Sequence, residues 1–141
     1  MSRQAFKTIT NTPVEFIPSK YKNDQTLSKD AALVKDRPMI MLVKKLTRED
    51  RLNLQFIAEF KPSKANALEN VGSVTKFMWD RCVVEVKNVL MDEDGQTKEY
   101  ESVTGVTKNA LFETSGIDEE IAECINFIQE ISTLSDAEAK N

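Results

Sequence analysis

The sequence predicts an α+β domain, a small antiparallel sheet with a β-hairpin packed by three or so amphipathic helices. Three observations carry this. Asp92-Glu93-Asp94-Gly95 lies between β-prone flanks, and its Asp-Gly pair supplies the positive backbone angles of a tight hairpin turn. Leu52, Phe56 and Phe60 recur at four-residue spacing, and Leu68, Val71, Val74, Met78 and Trp79 form a second helical stripe. Ile117, Ile121, Cys124, Ile125, Ile128 and Ile131 share one face of a third helix.

In chain order, residues 1–13 are polar around an isolated Phe6 and Ile9 and read as a flexible N-terminal arm closed by Pro13. Val14, Phe16 and Tyr21 around Pro18 predict a short extended segment docked on the core. Residues 19–36 read as a surface loop or a weak helix over Leu27 to Val34 capped by Ser28. Pro38 opens Met39-Ile40-Met41-Leu42-Val43, an apolar run suited to a strand buried on both faces.

Thr47-Arg48-Glu49-Asp50 predicts a helix start, because the threonine oxygen can accept an orphan backbone N–H and the acids sit at the positive end of the helix dipole. Pro62 ends that helix, 63–66 connect it, and the second stripe makes an antiparallel partner. From Cys82 the period becomes extended: Cys82, Val84 and Val86 alternate with Val83, Glu85 and Lys87, and Thr97 to Val103 is the return strand. Gly105 and Gly116 bracket Asn109-Ala110-Leu111-Phe112, a single turn at most. The isoleucine helix follows, Leu134-Ser135-Asp136 restarts a cap signal, and 135–141 read as a C-terminal tail. One domain over 14–134 results.

Composition narrows function. The 141 residues include no histidine, which removes the commonest general base, the commonest zinc ligand and every Ser-His or Cys-His nucleophile pair. Cys82 and Cys124 are far apart, form no Cys-x-x-Cys pair, and read as reduced, buried thiols. No Gly-rich turn or Gly-Lys-Ser/Thr nominates a phosphate site. An EF-hand loop starting at Asp92 would need a bidentate glutamate where Val103 stands. The expectation is therefore no enzyme activity, no cofactor and no metal. The acidic first turn Asp118-Glu119-Glu120 is explained by the helix dipole before any catalytic pair. The longest wholly apolar run, Pro38–Val43, falls far short of the roughly 20 residues of a membrane span, so neither a membrane span nor a secretory leader is expected.

Charge is uneven. Residues 1–64 hold 13 Lys+Arg against 7 Asp+Glu, whereas residues 65–141 hold 6 against 16, for a net −4. The plainer explanation is that the halves pack together and their charges are solvated. The alternative is a homo-oligomer in which the basic half of one subunit meets the acidic half of the next. Dispersed basic residues and an acidic total argue against nucleic acid. Phe56, Phe60, Trp79, Ile121, Ile125 and Ile128 are the candidate partner-binding residues, each weighed against plain core packing.

Several segments together are similar to the tail assembly chaperones of long-tailed bacteriophages. They are Phe16-Ile17-Pro18-Ser19-Lys20-Tyr21, Leu46-Thr47-Arg48-Glu49-Asp50-Arg51, the Cys82-Val83 strand with its Asp-Gly hairpin, and Ile131-Ser132-Thr133-Leu134-Ser135-Asp136-Ala137-Glu138-Ala139-Lys140-Asn141. That resemblance implies a non-enzymatic helper in the host cell cytoplasm that binds the tape measure protein, keeps its hydrophobic helices soluble and recruits tail tube subunits. It transfers no residue-level site. The second reading is a structural phage virion protein, such as a neck, tail-completion or baseplate adaptor, and a carboxylate-only enzyme is third.

Overall fold

The computed structural model describes residues 3–6, 11–59 and 67–140, with side chains at all of these except 56–59, 67–71 and 134–140. Four strands form an antiparallel meander: β1 Val14–Phe16, β2 Ile40–Val43, β3 Val83–Glu93 and β4 Gln96–Val103, paired in that order. The helices are α1 Ser19–Lys22, α2 Arg48–Glu59, α3 Ala67–Cys82, α4 Gly105–Phe112 and α5 Asp118–Lys140, with a 3-10 turn at Val34–Asp36. The chain is a small α+β fold, as its patterning predicts.

One face of the sheet carries the main core. Met39, Met41 and Val43 of the second strand and its approach meet Val83, Val86, Val89 and Met91 of β3, under Met78, Trp79 and Cys82 of α3 and the isoleucine face of α5. Val34 and Ile40 are buried outside this cluster, where the 3-10 turn lies against β3 and β4. The loop 23–37 therefore covers the opposite face. It does so without the predicted helix over Leu27 to Val34. Asp24 Oδ1 accepts the Thr26 N–H at 3.0 Å and Ser28 Oγ accepts the Asp30 N–H at 3.3 Å, so short polar side chains satisfy the backbone in turns instead.

Local signals hold where they are self-contained. Thr47 Oγ1 accepts the Asp50 N–H at 3.0 Å and Asp50 Oδ2 accepts the Thr47 N–H at 3.1 Å, a reciprocal cap that starts α2 as predicted. Asp94 and Gly95 have φ of 53° and 79°, the two positive angles of a type I′ turn, between paired Glu93 and Gln96. The Pro62 stop and the connector 63–66 lie outside the described residues.

The alternation read from Cys82 is corrected. Cys82 closes α3, and Val83 rather than Val84 is buried, because the β2–β3 register slips between Leu42 and Val43. Asn88, at φ 59°, shifts parity again so that Val86 and Val89 both point inward. Its Nδ2 donates to the Pro38 carbonyl at 3.0 Å, which fixes the kink. Two further elements differ. Residues 105–112 make two helical turns rather than one, and α5 continues through the cap signal at 134–136 to Lys140.

The sheet edges are unlike. β1 is three residues long, and below it Asn11 imitates a strand residue, donating Nδ2 to the Lys45 carbonyl and accepting the Lys45 N–H, each at 3.1 Å. β4 is eight residues long and exposed along most of its length.

Ile128 is fully enclosed whereas Leu52 is 59% exposed. Ile128→Ala is expected to cost about 2–5 kcal/mol through the cavity it leaves. Leu52→Ala should stay within about 0.5 kcal/mol. Urea denaturation of both variants measures the contrast, and equal costs would mean that the stripe is not core.

Candidate partner-binding groove

The geometry of α5 organises the surface. Its first turn carries Asp118, Glu119 and Glu120, and its apolar face packs on α3 and the sheet, so its remaining positions divide between two flanks. Toward β1 and α1, Phe127 stacks on Phe16 with ring centroids 4.9 Å apart, and Glu123 accepts hydrogen bonds from the Ser19 N–H at 2.9 Å and from the Ser19 hydroxyl. Those bonds hold the Glu123 carboxyl below the usual carboxylate range. Beside it the Lys20 ammonium pairs with the enclosed Glu120 carboxylate. The contact brings the Lys20 ammonium against the buried Glu120 carboxylate within hydrogen-bonding reach. Glu120 raises the Lys20 ammonium above its ordinary range.

The other flank is open. A groove of about 400 Å³ runs between α3, α4 and α5, with Ile121, Ile125 and Phe112 as its apolar floor, Ala122 on its lip and Thr75 and Asn126 at its rim. Asp118 stands at one end, and neither it nor Glu119 has an ion-pair partner among the described residues. Phe112 is fixed from below by Trp79, ring centroids 5.6 Å apart, and from the side by the Lys76 ammonium, 4.7 Å from its centroid. The floor is therefore preformed.

The predicted partner-binding residues divide accordingly. Trp79 and Ile128 are fully enclosed and belong to the core, the plainer of their two readings. Ile121 and Ile125 are mostly buried yet reach the groove floor. Phe60, and the side chain of Phe56, lie outside the described residues. Phe112 and Ala122 were not among the candidates. Phe112 sits in the segment read as a single turn, and Ala122 lies beside Ile121 off the isoleucine stripe, which was the available signal.

Under the groove lies a polar group that the sequence did not announce. Lys108 is buried and donates from Nζ to the carbonyls of Trp79 at 3.0 Å and Val83 at 2.6 Å, with the Trp79 ring 5.7 Å away. Burial pushes its ammonium below the ordinary lysine range. The Trp79 Nε1–H has no acceptor among the described residues. Both cysteines are free and buried. Burial pushes each thiol up to about 12, with Asp50 adding to the effect at Cys82.

The groove has apolar depth, with the carboxylate of Asp118 at its end. Among the described residues no three His, Cys, Asp or Glu side chains group closely enough for a metal ion, and no helix is long and apolar enough to cross a membrane. Compared with protein-family models, curated proteins and solved structures, the chain has no significant match in any of the three.

The thiols make alkaline stability a direct test. Between their ordinary value near 9 and about 12, the unfolded chain loses thiol protons that the folded chain keeps, so stability falls as pH rises through that window. The slope is about 1.4 kcal/mol per pH unit for each fully titrating thiol. Lys108 acts oppositely, because its depressed ammonium sheds its proton first in the folded state and stability rises toward the ordinary lysine value. Urea melts from pH 8 to 11 should show a shallower decline in the Cys82→Ala/Cys124→Ala variant than in the parent. Parallel declines would mean that the thiols are not buried in solution.

Proposed function

We propose that this protein is a non-enzymatic tail assembly chaperone of a long-tailed bacteriophage, working in the host cytoplasm, that binds the tape measure protein and helps to recruit tail tube subunits. The observation that carries the reading is the groove between α3, α4 and α5, a preformed apolar floor with Asp118 at its end. A groove of this kind accepts the apolar face of an amphipathic helix, anchored by residues one turn apart. Tape measure proteins present long helices of that type, and the segments quoted above resemble the chaperone family.

The matched charges within the fold also support a soluble binding partner rather than a charge-driven aggregate. Lys20 with Glu120 and Arg37 with Glu101 each join the basic half to the acidic half inside one chain. A permanent virion adaptor is the second reading, and the separation of α5 into two flanks favours it to the extent that it gives the subunit two different sides for a ring.

Co-expression with the tape measure protein encoded in the same genome tests the first reading. A soluble complex that co-purifies is expected, and Ala122→Lys, which fills the lip of the groove without touching the core, should weaken it at least tenfold. A tape measure protein that stays insoluble, with no complex, would overturn the chaperone role. Mass spectrometry of purified virions separates the second reading, since an adaptor is present at fixed copy number and a chaperone is absent.

A further inference from the structure

The N-terminal arm presents an exposed apolar side chain, and the groove presents an apolar floor. Residues 3–6 have no regular structure, and Phe6 is 94% exposed, the most exposed large apolar side chain among the described residues. Asn11 anchors the base of the arm at the Lys45 backbone, and a phenyl ring as exposed as that of Phe6 is seated in no groove. Phe6 therefore stands outside the groove of its own chain.

We propose that the arm of one copy docks in the α3–α5 groove of a second copy, with Phe6 as its anchor. Three features fit. A phenyl ring placed over Ile121, Ile125 and Phe112 finds an apolar floor and room in a volume of about 400 Å³. Arg3 and Lys7 flank Phe6 in sequence, and Asp118 offers an unpaired carboxylate at one end of the groove. The lengths agree as well: the four residues 3–6, when extended, span about 13 Å, and the helix from Asp118 to Asn126 rises about 12 Å.

Arm and groove are different patches, so the contact is heterologous and joins copies head to tail, into a ring or an open chain. It gives the basic-to-acidic association read from the charge halves a specific seat. The inference shares the groove of the proposed function, on which it rests only in taking that groove as an open docking site, and it needs no tape measure protein. A client helix and a neighbour's arm would compete for one floor.

Light scattering of the purified full-length chain over a concentration series, without any client, tests the inference. Oligomers that grow with concentration and shrink with added salt are expected, since exposed pairs are screened over about 8 Å at physiological ionic strength. Phe6→Ser, outside the folded core, should weaken association at least tenfold with an unchanged thermal melt. Ala5→Cys chains mixed with Asn126→Cys chains should form a disulfide between chains under oxidising conditions, the native thiols being buried. A monomer at every concentration, unaltered oligomers in Phe6→Ser, or a disulfide only within one chain carrying both cysteines would overturn the inference. The client experiment has a separate readout, so either idea can fail while the other stands.

Discussion

One buried ammonium joins the parts of this fold. Helix α3 passes into strand β3 without a loop, since Cys82 ends one and Val83 begins the other. A helix end leaves carbonyls without intrahelical partners, and here they fall inside the core. Lys108 of α4 reaches in to take the carbonyls of Trp79 and Val83, and the Lys44 N–H takes that of Cys82 at 2.8 Å. Burying a charge costs several kcal/mol, which is offset only because two short charge-assisted bonds and the negative end of the α3 dipole receive it. Through this junction α4 is fixed to α3, β2 is fixed to the helix end, and Trp79 is fixed beneath Phe112.

The same junction sets the groove. Phe112 lies four residues after Lys108, about one helical turn on, so the side chain that satisfies the carbonyls also determines where the groove floor stands. On the far side of α5, the carboxylates of Glu120 and Glu123 are committed to α1. Asp118, at the end of the groove, is left without an ion-pair partner among the described residues. A helix whose first turn looks uniformly acidic in sequence is thus divided by its packing, with Glu120 and, one turn on, Glu123 held by α1 and Asp118 facing the groove.

What was legible in the sequence is what a few neighbouring residues decide by themselves. The Thr47–Asp50 cap, the Asp94-Gly95 turn and the isoleucine face of α5 rest on local geometry, and each is where the pattern placed it. The failures are non-local. Val84 reads as a buried alternation partner, but the slip against β2 turns it outward, and Asn88 reverses parity by a bond to Pro38, fifty positions away. The two turns of α4 depend on Lys108 finding carbonyls far back in the chain. In the groove, Ile121 and Ile125 were visible as part of a stripe, whereas their meeting with Phe112 depends on tertiary packing that no stripe encodes.

The edges of the sheet have a consequence for how copies of this protein can meet. A strand edge is a template for another strand, and an eight-residue edge such as β4 would ordinarily invite one. Lys98, Glu99 and Glu101 are exposed along it, so a second β4 laid alongside in parallel register would bring like charges together. The opposite edge is too short to offer a ladder, and the amide of Asn11 already occupies the backbone groups of Lys45. The short edge is closed to growth by strand addition, and the charges along β4 oppose a copy laid on it in parallel register, so what restrains the meander at each end is a different feature: length and the Asn11 amide at one edge, charge at the other.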